Sequence, residues 1–150
     1  MHDAPILICY DGTEGSDVAI DAAADLLGAR RAVVLDLGPP LTEAESLAVL
    51  GPAIPGTAFE ELNTEDALVR ARQGAERAHR AGFDADARAG IAAPTWQGIV
   101  DAADEIDAAV IVLGSRGLEG ARERIEGSVS HAVAQHSGRP VLIVPPESNR

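Results

Sequence analysis

The chain has no lysine, one cysteine and very few aromatic side chains, which make up 3% of its 150 residues. Without lysine no G-x4-G-K-[ST] phosphate loop can exist, so a Walker-type nucleotide site is excluded. The lone cysteine, Cys9, lies inside an apolar run, so neither a disulfide framework nor a cysteine-based zinc site can form, which fits a reducing cytoplasm. The scarcity of aromatics means that the 46% hydrophobic fraction must build an aliphatic core of Ala, Val, Ile and Leu. No window approaches the roughly 18 apolar residues of a membrane span. The start, Met1-His2-Asp3-Ala4-Pro5 and a short run ending at Asp11, does not read as a signal peptide. G-x-S-x-G and G-x-G-x-x-G are absent too, which removes support for a hydrolase triad and for the dinucleotide fingerprint.

Positive charge is also short: 12 arginines against 24 acidic residues give a formal net charge of −12. An acidic surface repels nucleic-acid backbones and anionic membranes, so neither is expected as a partner. A polyphosphate would meet the same repulsion, and local amides or a metal ion would have to supply the attraction.

The length suits one domain spanning residues 1–150. Ile6–Tyr10, Ala32–Leu37, Ala108–Leu113 and Val141–Val144 are short continuous apolar runs, the pattern of strands buried on both faces. Phe83–Ala89 alternates apolar and charged residues, which predicts a strand near a sheet edge. Helices are predicted over Ser16–Leu27, Thr42–Leu50, Thr64–Ala81, from Pro94-Thr95 through Ile106, and over Ser128–Gln135. Asp17, Asp21 and Asp25 form one helical stripe, read as a solvated face, and Trp96 reads as a core anchor. His2, His79, His131 and His136 read as surface or cap residues; the last two are five apart and do not share a helical face. Strands alternating with helices imply an open five-stranded parallel sheet with helices on both faces, a Rossmann-like α/β fold.

In such sheets ligands bind beyond the carboxyl ends of the strands. Two segments fall at such ends: Asp11-Gly12-Thr13, and Gly114-Ser115-Arg116-Gly117 with Gly127-Ser128 at the start of the next helix. Glycines admit an anion close to the backbone, and free N–H groups at a helix start favour negative charge. Glycine content alone fits plain turns as well, Asp11 alone fits a helix cap, and Cys9 and Leu37 alone fit core packing.

The spacing Gly114-x2-Gly117-x9-Gly127-Ser128 resembles the G-x2-G-x9-G-[ST] signature of the universal stress protein family. "ILICYDGTEGSDVAIDAA", "VIVLGSRG", "GSVSHAV" and "RPVLIVPP" resemble that family's first strand and helix, its loop and its last strand. The resemblance covers nearly the whole chain and is weakest over residues 41–62. It implies a sheet order of 3-2-1-4-5 and an ATP site, or one for ADP or AMP. In that site Asp11 would meet the ribose, while Cys9, Tyr10 and Leu37 would line the adenine and Leu113 and Gly114 would frame the sugar. Arg116, Gly117, Gly127, Ser128, Val129 and Ser130 would hold the phosphates, with Mg²⁺ or Mn²⁺ bridging them. It also implies a homodimer through Val141, Leu142, Ile143 and Val144. Glu126 departs from the family, which often has an apolar residue before the Gly-Ser pair; Glu119 and Glu123 share that loop.

The function expected is a nucleotide-binding stress-response or signalling module with no catalytic residues and at most slow ATPase activity. The alternatives are a nucleotide-free dimeric interaction protein and a slow nucleotide hydrolase. The S-G-G-x-[DS] loop of related hydrolases is not matched by Asp11-Gly12-Thr13-Glu14-Gly15-Ser16.

Overall fold

A computed structural model describes residues 3–38, 56–92, 94–115 and 128–146. The predicted helix at Thr42–Leu50 and the loop residues Arg116, Gly117 and Gly127 lie outside the described residues. Five strands are present: β1 (Ile6–Cys9), β2 (Arg31–Gly38), β3 (Asp84–Ile91), β4 (Ile111–Gly114) and β5 (Val141–Val144). Described helices are α1 (Glu14–Leu27), α2 (Gly56–Ala81), α3 (Thr95–Glu105) and α4 (Ser128–His136). The strands form one sheet in the order β3-β2-β1-β4-β5, and every pairing is parallel. That is the expected fold and strand order.

Each strand is too short to bury much alone, so its two faces feed two separate cores. On one face Ile6, Ile8, Val34 and Val112 meet Ala19, Ile20 and Ala23 of α1 and Ala75 and Ala78 of α2. On the other, Leu7, Cys9, Leu35, Ile111 and Leu113 meet Ile99, Ala102 and Ala103 of α3 and Val129 and Val133 of α4. Alternation of Cβ direction along β1 assigns Ile6 and Ile8 to one core and Leu7 and Cys9 to the other. The helix faces are built largely of alanine, which lets helices sit close to an aliphatic sheet.

Boundaries moved where local chemistry outweighed the apolar pattern. β4 begins at Ile111 because Ala108 still serves the helix before it: its N–H donates to the carbonyl of Ala103. The helix expected to begin at Thr64 begins at Gly56, since no proline breaks the segment before it. β3 lies at one edge, as its alternation predicts, and β5 at the other.

The Asp17/Asp21/Asp25 stripe is exposed at Asp21 and Asp25 and half-buried at Asp17, and it carries ion pairs as well. Arg77 of α2 bridges to it, with Nη2 at 2.7 Å from Asp21 Oδ2 and Nε at 3.7 Å from Asp17 Oδ1. Asp17 also accepts a 3.0 Å hydrogen bond from the Tyr10 hydroxyl. Asp25 is exposed and has no such tie among the described residues. Trp96 is half-buried against the second core and stacks on the exposed ring of His136, with centroids 4.7 Å apart.

Candidate functional site

β1 and β4 are adjacent and parallel, so both end on the same rim. From there the chain after β1 enters α1 on one face of the sheet, whereas α4, which follows β4, packs on the other face. Opposite departures open a crevice at this point of the rim. Because β4 and β5 are parallel, α4 must run back across the sheet between them, so it begins at the same rim.

Asp11 is the first residue beyond the β1 ladder's end at Cys9 and Tyr10. Its Oδ1 is fully engaged, accepting from the Thr13 amide at 3.0 Å and from the Thr13 hydroxyl at 2.5 Å. Thr13 in turn caps α1: its side chain accepts from the Ser16 amide, satisfying one of the helix's free N–H groups. A cap of this type stabilises by about 1 kcal/mol. Gly12 between them has φ +81°, a backbone that side chains with a Cβ rarely adopt, and this sharp turn brings Thr13 back onto Asp11. Asp11 Oδ2 is buried and has no hydrogen-bond partner among the described residues. A carboxylate oxygen in that state is costly unless something donates to it. The alternative reading of Asp11 as a turn residue is therefore half true: one oxygen builds the turn and the other is left over.

The other expected site residues divide by where their side chains point. Cys9 is buried in the second core, and burial first, then the nearby Asp11 and Asp36 carboxylates, push its thiol well above the ordinary range. It is an inert packing group. Leu37 is half-buried and packs against the same core from the end of β2. Leu113 is fully buried there, and Gly114 closes β4 opposite Val144. Val129 and Ser130, in the first turn of α4, are buried. Ser128 opens that helix.

Tyr10, expected beside the adenine through strand-end backbone and apolar atoms, keeps only its backbone near the rim. Its ring turns into the first core, 6% exposed, and lies over Gly74 of α2. A Cβ at Gly74 would sit 2.7 Å from Tyr10 Cγ, so only glycine lets the helix approach this ring. What Tyr10 leaves near the rim is backbone. Burial first, then the hydrogen bond to Asp17, raise its hydroxyl from 10.0 to about 12.

Sequence reasoning missed one feature of this rim. Asp36, on β2, is 3% exposed and is held by Arg70 of α2, with Nε to Oδ2 at 2.8 Å and Nη2 to Oδ1 at 3.3 Å. The signal was present: a single carboxylate within the doubly buried run Ala-Val-Val-Leu-Asp-Leu requires a partner. Which of 12 arginines supplies it depends on how α2 docks, which the run itself does not encode. Burial outweighs the Arg70 hydrogen bond and charge, so Asp36 remains raised above the ordinary carboxylate value.

Among the described residues no group of three or more His, Cys, Asp or Glu is arranged to hold a metal ion, and no helix is long and apolar enough to cross a membrane.

Residues 4–145 match the model of the Universal stress protein family. The chain is 32% identical over 144 residues to Universal stress protein YxiE of Bacillus subtilis (strain 168), a match covering 93% of this chain and 97% of that one. Among solved structures, the hypothetical protein MJ0577 superposes with a TM-score of 0.75 at 22% identity, over 99% of this chain and 100% of that one. A universal stress protein in complex with cAMP superposes with a TM-score of 0.65 at 25% identity, over 95% of this chain and 97% of that one.

Proposed function

Since the chain belongs to the universal stress protein family, we propose that it binds ATP, or a related adenine nucleotide, in the crevice between the ends of β1 and β4. One observation carries this reading: the buried Oδ2 of Asp11 at that rim, an acceptor without a donor among the described residues. A ribose hydroxyl supplies the missing donor. The cAMP complex of a related protein supports the ligand class, because cAMP shares the adenine, the ribose and the phosphate.

In this reading Leu37 and the backbone around Cys9 and Tyr10 flank the base, and Leu113 and Gly114 frame the sugar. The phosphates meet the first N–H groups of α4 at Ser128, Val129 and Ser130, together with the glycine loop Gly117–Gly127 and Arg116. N–H groups at a helix start bind anions without any cationic side chain, which suits a chain without lysine. Mg²⁺ or Mn²⁺ bound with the phosphates would lower the repulsion from the acidic surface. Nucleotide occupancy acts by favouring one arrangement of the glycine loop, and so alters a partner surface. Its effect is limited to the difference in affinity between loop states. The module signals by occupancy in the cytoplasm, and any hydrolysis is slow.

The test is mass spectrometry of small molecules released from the purified protein by denaturation. Near-stoichiometric ATP, ADP or AMP is the expected result. Protein that releases none, and takes up none when incubated with ATP and Mg²⁺, would favour the nucleotide-free dimeric alternative.

A further inference from the structure

We infer that the rim opposite the β1–β4 crevice carries a second site, which takes a small zwitterion with a carboxylate and an ammonium group, the chemistry of a free α-amino acid. The inference does not rest on the nucleotide reading. β1, β2 and β3 are parallel, so their amino ends share this rim, at the other end of the sheet from Asp11. An open cavity of about 390 Å³ lies there. Asp3 lines it from ahead of β1, Arg30 and Arg31 from the start of β2, and Gly82 and Asp84 from the start of β3. Backbone ties its walls together. The Asp84 amide donates to the Arg30 carbonyl at 3.0 Å, and Gly82, with φ +110°, makes the turn out of α2.

Three observations carry the inference. First, two guanidinium groups and two carboxylates line one cavity, yet none of the four forms an ion pair with another. Second, Arg30 differs from the other half-buried arginines. Arg70, Arg77, Arg88 and Arg139 each pair with a carboxylate of this chain, whereas Arg30 has no ion pair among the described residues. Third, Arg30 Nε is buried without a hydrogen-bond partner among the described residues. Nε of Arg77 and of Arg139 is in the same state, but another nitrogen of each is held by a carboxylate. A buried donor left unmade is costly, and an acceptor brought by a ligand relieves that cost.

The lining also selects the kind of charge. A guanidinium suits a carboxylate, which accepts from its N–H donors. Asp3 and Asp84 suit an ammonium, and so do the ends of α1 and α2, whose dipoles put partial negative charge at this rim. The four formal charges sum to zero, so a polyphosphate gains little here. A molecule with one charge of each sign engages both halves of the lining.

Nuclear magnetic resonance titration of the isotope-labelled full chain tests this at constant ionic strength with L-alanine, propionate and ethylammonium. Alanine should shift the amides of Arg30, Arg31, Gly82 and Asp84 saturably and leave those of Asp11 and Gly12 in place. The two analogues, each lacking one charge, should bind about fivefold or more weakly, the upper scale of one exposed charge contact. Arg30→Gln should weaken alanine about tenfold, the scale of a hydrogen bond to a charged group, and remove its advantage over ethylammonium. Asp84→Asn should remove its advantage over propionate. Arg31→Gln alters an exposed side chain and should weaken alanine too, which keeps the test open if Arg30→Gln fails to fold. Equal binding of propionate and alanine by the wild type would overturn the inference in favour of a plain anion site. An absent or unsaturable alanine response in the wild type would overturn it outright, and so would a response unchanged in the arginine variants.

Discussion

Asp11 and Tyr10 are neighbours in sequence with opposite assignments, and the difference follows from the pleat. Tyr10 continues the side of β1 that carries Ile6 and Ile8, so its ring enters the core between α1 and α2. Its hydroxyl donates to Asp17, and both that bond and the burial favour the neutral phenol. The hydroxyl's raised value means its contribution to stability is whole below pH 10 and is lost as pH rises toward 12. With one tyrosine and no lysine in the chain, an ultraviolet tyrosinate titration isolates this group. The midpoint should be about 12, and Tyr10→Phe should remove up to about 3 kcal/mol of stability loss across that window. A midpoint near 10 would show that the ring is not held in this core. The apolar run of β1 made the strand legible, but not the destination of the residue that ends it, because which face follows Cys9 depends on the helices that arrive later. Asp36 and Arg70, 34 positions apart, illustrate the same limit: a buried strand carboxylate announces a need, and only the docked helix says what meets it.

At the scale of elements, β1, β2, β4 and β5 read clearly because each is built on a run of β-branched and aliphatic residues bounded by glycine, proline or charge. The edge position of β3 was written in its alternation of Asp84, Asp86 and Arg88 with alanine. β5 is different: it is apolar throughout, yet it too is an edge, and Ile143 is 39% exposed on it. An apolar edge strand has unpaired backbone groups and no charged side chain to discourage another chain. We therefore expect a homodimer formed along β5. Ile143→Lys should convert the assembly to monomers without altering the far-ultraviolet circular dichroism, as light scattering and the spectrum together would show. A wild-type protein that is monomeric at high concentration would contradict this pairing.

For the whole molecule, the sheet order puts the two chemically distinctive segments on one rim although they are about a hundred residues apart. The carboxyl ends of β1 and β4 are neighbours, the chain leaves them toward opposite faces, and the start of α4 returns to the same edge. This much of the rim follows from alternating strands and helices. In the proposed complex the spare oxygen of Asp11 accepts from a ribose hydroxyl. Titration of the wild type and of Asp11→Ala with ATP and with 2′,3′-dideoxy-ATP tests it most directly. The wild type should prefer ATP by about 10- to 100-fold, the scale of hydrogen bonds to a charged acceptor, and Asp11→Ala should bind the two ligands alike. An Asp11→Ala protein that still discriminates as the wild type does would contradict it.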